Sequence, residues 1–373
     1  MDVHLNRRQW LKTSAAAVVG WVAGSGTAAP GSPLGPHPES KETVRLLYNE
    51  SHFGISEAAR KAMIKALDDG SAYPDDHYYE LKDLIAAKES LKPENIILGA
   101  GSIEIITAAL HVYSSIGAAL SSDPTYFDFV DYAARVQCPL RQVPLTDGYE
   151  LDLAKMERQA DSAIGLVYIC NPQNPTGAVT PQEQLRPFCR KVSRKAIVIL
   201  DEAYVDYVED PAYSSMVDLV RDGENVLVTR TFSKIFGLAG LRIGYGMARP
   251  DTIKMLAQWE RNFAPVSILS LRAAIASYRD EEFVAGVRKQ NRKVKSYMYR
   301  ELGRLGLSYV PSHANFILFK VNRDSHELAK DLERRSFLVL PLKFGGADWL
   351  RASLGTLEEM QAFVAQLEGL SRS

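Results

Sequence analysis

Cysteine is scarce: the 373 residues hold three, Cys138, Cys170 and Cys189. With no Cys-x-x-Cys pair and no Cys/His spacing suited to a metal, a disulfide framework and a zinc site are both excluded. Charge of one sign is also missing. The 44 Lys+Arg and 45 Asp+Glu leave a formal net charge of -1, which gives no reason to expect nucleic acid as a partner. Long apolar runs are lacking too. The longest candidate, Thr13 to Ala29, is too short and too rich in Gly and Ala to span a bilayer. Internal repeats are absent. What remains, 46% hydrophobic and 24% charged residues, describes a soluble globular chain. Its length exceeds what one hydrophobic core organises, so two unequal domains are expected, the first of them large.

The first residues form a separate object. Arg7, Arg8 and Lys12 precede the apolar stretch, and small residues lead up to Pro30, the layout of a signal peptide over residues 1–29 with cleavage between Ser25 and Ala29. The run Arg7-Arg8-Gln9-Trp10-Leu11-Lys12 resembles the twin-arginine export signal. That resemblance implies a periplasmic or otherwise exported protein with no stable membrane association once the signal is removed. A Gly/Ser/Pro-rich tail, Gly24 to Pro38, leads into an N-terminal arm over residues 30–55.

From residue 56 to about 260, short β-rich runs alternate with helical patterns. Apolar runs lie at Asn95–Leu98, Ala118–Leu120, Ile164–Ile169, Ala196–Leu200, Val226–Thr229 and Leu241–Tyr245. Their near-continuous apolar character suits a sheet buried on both faces. The prediction is an α/β domain: a mostly parallel sheet covered by helices. Ser56 opens a helix with Ala59, Met63 and Leu67 on one face and a stop at Gly70. Residues 261–373 read differently, as a smaller α+β domain. One long helical region, Leu269 to Leu305, precedes strands near Tyr309–Val310, Phe316–Val321, Leu338–Leu340 and Leu350–Ser353. Thr356 and Glu359 stand in capping-box spacing before the last helix.

Four segments place polar residues directly after an apolar strand, where open α/β sheets bind ligands. They are Gly99-Ala100-Gly101-Ser102, Asn171-Pro172-Gln173-Asn174-Pro175-Thr176-Gly177, Asp201-Glu202-Ala203-Tyr204, and Thr231-Phe232-Ser233-Lys234 with Gly237, Gly240 and Arg242 behind it. Singly each has a bland explanation, since an Asp at a strand end caps helices and a Ser-Lys pair beside Gly is a common solvated turn. In this order they resemble the fold-type-I pyridoxal-phosphate aminotransferases, and within them the histidinol-phosphate aminotransferase branch. Asp123-Pro124-Thr125-Tyr126, Ala72-Tyr73-Pro74-Asp75, His313-Ala314-Asn315-Phe316 and Leu350-Arg351 extend the likeness from about Leu47 to the C-terminus.

The resemblance implies the fold, the cofactor pyridoxal 5'-phosphate, and a role for each matching residue. Lys234 corresponds to the Schiff-base lysine, an amine able to form an imine and then carry the proton. Asp201 corresponds to the carboxylate facing the ring nitrogen, which keeps the ring an electron acceptor. Asn174 and Tyr204 would bond the phenolic oxygen, and Tyr126 would lie on the ring face. Gly101, with the amides of Ser102 and Ile103 at a helix start, would cradle the phosphate alongside Ser233 and Arg242. Tyr73 would reach that phosphate from the second subunit of a homodimer. Arg351 would fork onto the substrate carboxylate. The partners implied are an amino acid and a 2-oxo acid, with no metal.

Two departures bear on substrate. Where the branch carries an Arg directly before a Pro, this chain has Leu340 before Pro341, with Lys343 as the nearest cation. The loop Leu47-Tyr48-Asn49-Glu50-Ser51-His52-Phe53 lacks the family's proline. These point to an aromatic or bulky amino acid meeting Tyr48, His52, Phe53, Leu340 and Phe344. Rival readings are a lyase, cyclase or oxidase using the same cofactor, a true histidinol-phosphate aminotransferase, and a non-catalytic descendant.

Overall fold

The computed structural model describes residues 43–210, 213–259 and 266–371. The signal segment, with Arg7 and Arg8, and the arm up to Glu42 lie outside the described residues.

Among the described residues thirteen strands appear, in chain order: β1 (Val44–Arg45), β2 (Ile96–Gly99), β3 (Ala118–Asp123), β4 (Leu140–Pro144), β5 (Ile164–Cys170), β6 (Ile197–Asp201), β7 (Val226–Thr231), β8 (Gly244–Ala248), β9 (Tyr309–Val310), β10 (Phe316–Val321), β11 (Phe337–Leu338), β12 (Leu340–Phe344) and β13 (Ala347–Ser353). Seven form the main sheet, in the order β2-β8-β7-β6-β5-β3-β4. Only β8 runs against its neighbours, and the other pairings are parallel. The expected α/β architecture with a mostly parallel sheet is what the chain adopts. Every residue of β5, β6 and β7 is buried, because helices cover both faces of a parallel sheet and leave no polar side.

β4 did not announce itself as an apolar run. It is an edge strand in which Val143 alone is buried, so its sequence, Leu-Arg-Gln-Val-Pro, has no continuous apolar stretch. β8 begins three residues later than Leu241, because Ala239–Leu241 coils into a 3₁₀ turn and Arg242 follows at φ 50°. The expected long helix is two, Ile268–Arg279 and Glu281–Arg304. Asp280 ends the first and caps the second, accepting from the Phe283 amide at 3.0 Å. The Ser56 cap holds, accepting from Ala59 N, but that helix stops at Lys65 and leaves Leu67 exposed.

Buried apolar side chains gather in separate clusters. The largest takes in the main sheet, its helices and the helix Ile268–Arg279. A second centres on Val294, Met298, Leu302, Ile317, Phe319, Leu350 and Phe363. It is built on the antiparallel sheet β12-β13-β10-β9 and the helix Leu357–Ser371. The arm joins this second cluster. β1 pairs in parallel with β11 and drives Leu46 into its centre. Residues 47–53 then cross toward the C-terminal ends of the main strands.

Candidate active site

The C-terminal ends of β3, β5, β6 and β7 and the start of the helix Ser102–Ser114 surround one cavity of about 320 Å³. Tyr48, Ser102, Ile103, Tyr126, Asn174, Asp201, Tyr204, Ser233, Lys234, Arg242 and Arg351 all line it. Eleven side chains drawn from most of the chain length thus converge on one space. Gly101 stands directly behind them.

Asp201 ends β6 beside Cys170 of β5. Its carboxylate accepts from the Tyr168 hydroxyl at 2.7 Å and the Ala203 amide at 3.2 Å. Burial raises its pKa to about 6 against the pull of these donors. Tyr168 is held by stacking on Phe129, centroids 4.0 Å apart. Lys234 projects from the loop after β7 and donates to the Tyr48 carbonyl at 2.9 Å. Burial, then the positive charge of Arg351, lowers its pKa to about 8, so a minority of the amine, far larger than for an exposed lysine, is neutral near physiological pH. The Tyr204 hydroxyl accepts from Asn49 Nδ2 at 3.0 Å and Asn174 Nδ2 at 3.4 Å, while burial pushes its own ionisation far up.

At the opposite end the cavity is a cradle for an anion. The helix Ser102–Ser114 starts at Gly101, which has no side chain to cap it; the Glu104 amide turns back to the Gly101 carbonyl at 3.3 Å, and Ser102 and Ile103, at the uncapped start, border the cavity. Gly101 sits at φ 87°, and a Cβ there would run into the Arg242 guanidinium. Arg242 itself adopts a left-handed φ of 50°, a conformation costing an L-residue about 1 kcal/mol or more. That geometry brings its Nη1 to 3.3 Å from Ser233 Oγ, and Thr231 Oγ1 donates to the same hydroxyl at 2.9 Å. Amides, hydroxyls and a guanidinium at one end, an amine in the middle and a buried carboxylate at the other match the phosphate, aldehyde and ring nitrogen of pyridoxal phosphate.

Arg351 lies in the middle of β13 and is buried. It donates to Asn174 Oδ1 at 2.5 Å and to the Leu47 carbonyl at 2.8 Å, while its buried Nε has no partner.

Five expected residues lie elsewhere. Tyr73 is 86% exposed and does not line the cavity. His52 points away from the cavity, its ring held between Glu359 and the Arg45 carbonyl. Of the substrate-facing set, Tyr48 alone lines the cavity. Phe53 packs on the main core, and Phe344 stacks on Trp349. Leu340 pairs with Arg351 across β12 and β13 without reaching the lining. Lys343 turns outward to Asp324 at 2.6 Å and Asp348 at 3.5 Å, so it supplies no cation to the cavity. Asn49 and Thr231, within the sequence motifs but given no role by sequence, and Tyr168 join the site. Tyr168 carried a signal, a hydroxyl in the middle of an otherwise apolar buried strand.

A buried amine facing a buried carboxylate, beside an anion cradle at the strand ends of a doubly covered sheet, defines a pyridoxal-phosphate site of the α/β type. The chain belongs to the family Aminotransferase class I and II, whose sequence pattern matches residues 41–367. It is 38% identical over 330 residues to a histidinol-phosphate aminotransferase of Moorella thermoacetica, covering 88% of this chain and 85% of that one. A second such enzyme, from Carboxydothermus hydrogenoformans, is 35% identical over 87% of this chain and 90% of its own. Among solved structures, the histidinol-phosphate aminotransferase of Sinorhizobium meliloti in complex with pyridoxal-5'-phosphate superposes with a TM-score of 0.81 at 28% identity. That match covers 88% of this chain and 91% of the other. An aspartate aminotransferase of Thermus thermophilus with maleate, 21% identical at a TM-score of 0.79 over the whole of both chains, shares the fold. The protein is a pyridoxal-phosphate-dependent aminotransferase.

Proposed function

We propose that this aminotransferase takes amino acids carrying a free α-carboxylate and returns the amino group to a 2-oxo acid, with Lys234 as its reactive amine. Pyridoxal phosphate, when bound, supplies an aldehyde that condenses with amines and a ring that draws electrons from the adjacent carbon. The chain does the rest. The Ser102 and Ile103 amides, Ser233 and Arg242 would hold the phosphate, and Asp201 would pair with the ring nitrogen. Asn174 and Tyr204 would bond the phenolic oxygen, and Tyr126 would pack against the ring. Lys234, mostly neutral above about pH 8, would be the amine that holds the cofactor and the group that accepts the proton from the substrate's α-carbon.

The observation that carries the substrate reading is Arg351. It is a buried guanidinium with an unpartnered Nε, in the same cavity as Lys234. Directly across the strand pair stands apolar Leu340, and Lys343 is bound on the outside. One guanidinium balances a carboxylate; a phosphate dianion there would keep an uncompensated charge. The similarity to histidinol-phosphate aminotransferases favours histidinol phosphate as a second reading. A half-reaction screen of amino acids and histidinol phosphate, followed by the cofactor's own spectrum, separates the two. The carboxylate reading predicts that several amino acids convert faster than histidinol phosphate at equal concentration, and the reverse ranking overturns it. Arg351→Ala should raise KM for the best amino acid about 10- to 100-fold, with a smaller change in kcat, since the interaction is shared by ground and transition states. An unchanged KM would place the carboxylate elsewhere.

We also propose a homodimer in which Tyr73 reaches the partner's phosphate cradle. Its exposure, together with exposed Ile64, Leu67 and Tyr79 nearby in sequence, supports an apolar contact face, and a monomeric mass in solution would count against it. Export by the twin-arginine route rests on Arg7 and Arg8. Changing both to Lys should leave the precursor in the cytoplasm, as fractionation would show, and normal export of that variant would remove the reading.

A further inference from the structure

The arm residues that meet the cavity are held by a pair outside it. His52 Nδ1 lies 2.8 Å from Glu359 Oε2, and His52 Nε2 lies 3.1 Å from the Arg45 carbonyl. A carbonyl and a carboxylate both only accept, so satisfying both requires both ring nitrogens to carry protons. We infer that His52 and Glu359 are positioning residues for the transamination site, an imidazolium–carboxylate clasp that fixes the loop Arg45–His52 against Lys234, Tyr204 and Arg351.

The geometry gives the clasp two functions. Nε2 ties His52 back to Arg45, closing the neck of the loop, and the Arg45–Glu50 ion pair at 3.1 Å reinforces it. Nδ1 anchors the neck to the C-terminal helix. There Glu359 Oε2 also accepts the Thr356 amide at 2.6 Å as half of a capping box. Room for that carboxylate exists because Gly355 has no Cβ, which would otherwise collide with it. Inside the loop, three backbone or side-chain groups are presented to the chemistry. The Leu47 carbonyl takes Arg351 Nη2, the Tyr48 carbonyl takes Lys234 Nζ, and the Asn49 amide group donates to Tyr204. The other face of the loop is fixed by Asn315, which donates to the Asn49 and Glu50 carbonyls, and by Ser353, while the clasp holds the His52 side chain at its end.

The charged groups facing His52 are Glu359 from the helix and Glu50 from its own loop, with the Arg45 guanidinium held on Glu50. The neighbouring Gly237, Ala239 and Gly240, which share a recess with it, bring no charge. Burial alone would lower the imidazole's pKa, but the bond and charge of Glu359, with the Arg45 carbonyl and the charge of Glu50, together outweigh it and the net shift is upward from 6.5. The Glu359 carboxyl, which burial would raise, is held below 4.5 by His52. A raised imidazole pKa means the clasp is complete below pH 6.5 and loosens as pH rises through the higher folded value. A depressed carboxyl means it also fails in acid, below the ordinary Glu range.

This inference rests on the proposed roles of Lys234, Tyr204 and Arg351, and its test has arms that do not. Titrating the full chain by imidazole NMR should show His52 protonating above 6.5, and Glu359→Gln should bring that midpoint down. Glutamine keeps an oxygen for the Thr356 cap, so this variant guards against a simple folding defect. In His52→Ala, hydrogen exchange at the Leu46 and Asn49 amides should quicken at pH 6 but little at pH 9. With a working substrate, wild type should exceed His52→Ala in kcat/KM by about ten-fold at pH 6, the ratio shrinking above pH 8. A His52 midpoint at or below 6.5, no response to Glu359→Gln, or a ratio flat with pH would each overturn the clasp. Should the substrate roles of the site prove wrong, the titration and exchange results still decide whether the clasp exists.

Discussion

Lys234→Ala should lower turnover by about 10⁴-fold or more while the protein still takes up cofactor. The expectation follows from what replaces the amine. Among the described residues no other lysine lines the cavity, and the remaining cations there, Arg242 and Arg351, cannot lose a proton to become nucleophiles. The cradle of Gly101, Ser102, Ser233 and Arg242 is made without Lys234, so the proposed phosphate partners would remain in place. Two measurements check this. Borohydride treatment followed by mass analysis should fix cofactor to wild type and not to the variant, and dialysis should strip the variant's cofactor faster. In wild type, covalent capture by the cofactor-free chain should speed up as pH rises toward about 8, the value to which burial and Arg351 bring the amine. The sign follows from a depressed lysine pKa, which puts the neutral form within reach at a pH where an exposed lysine is still charged. Turnover of Lys234→Ala near the wild-type rate would take this residue out of the mechanism.

Why this lysine could be found from sequence, while other groups could not, has a physical basis. Strands β5, β6 and β7 are buried on both faces, so each prints an apolar run and its end is legible. The polar residues that follow are then the site by topology. The edge strand β4 prints no such run, and it went unread without consequence for the site. The break at Asp280 was hidden because both flanking segments are helical by pattern, and one Asp serves two helices. His52 shows a different limit. A histidine beside a site motif reads as a ligand for substrate, yet its partner Glu359 is set by the packing of the C-terminal helix. No spacing along the chain reveals that contact. Glu359 was legible only in its other role, as the capping-box residue with Thr356. Asn49 was invisible for a similar reason, since its left-handed φ of 56° and its bond to Tyr204 exist only once the arm crosses the sheet.

Asp201→Asn should lower kcat about 10³-fold and, at pH 7, make the cofactor-free protein more stable rather than less. Both effects come from one buried carboxylate. In the folded chain its pKa is about 6, against 3.8 when exposed. A raised carboxyl pKa means the folded state binds the extra proton. Its stabilising contribution is complete below pH 3.8 and is lost as pH climbs through about 6, leaving a cost of about 3 kcal/mol at pH 7. Asparagine has the same shape and can still meet the Tyr168 hydroxyl and the Ala203 amide without burying a charge. Thermal unfolding of the cofactor-free proteins should therefore show the variant ahead at pH 7 and the two converging near pH 4. Adding pyridoxal phosphate should reverse the order, because a positively charged ring nitrogen beside Asp201 turns the isolated anion into half of an ion pair, and the amide offers no charge in return. On this reading the stability that the cofactor-free chain gives up would be returned in the holoenzyme, where the same carboxylate would keep the ring protonated. If the two cofactor-free proteins unfold alike at pH 7, the Asp201 carboxylate is not the isolated buried anion described here. If cofactor stabilises both equally, it does not pair with the ring.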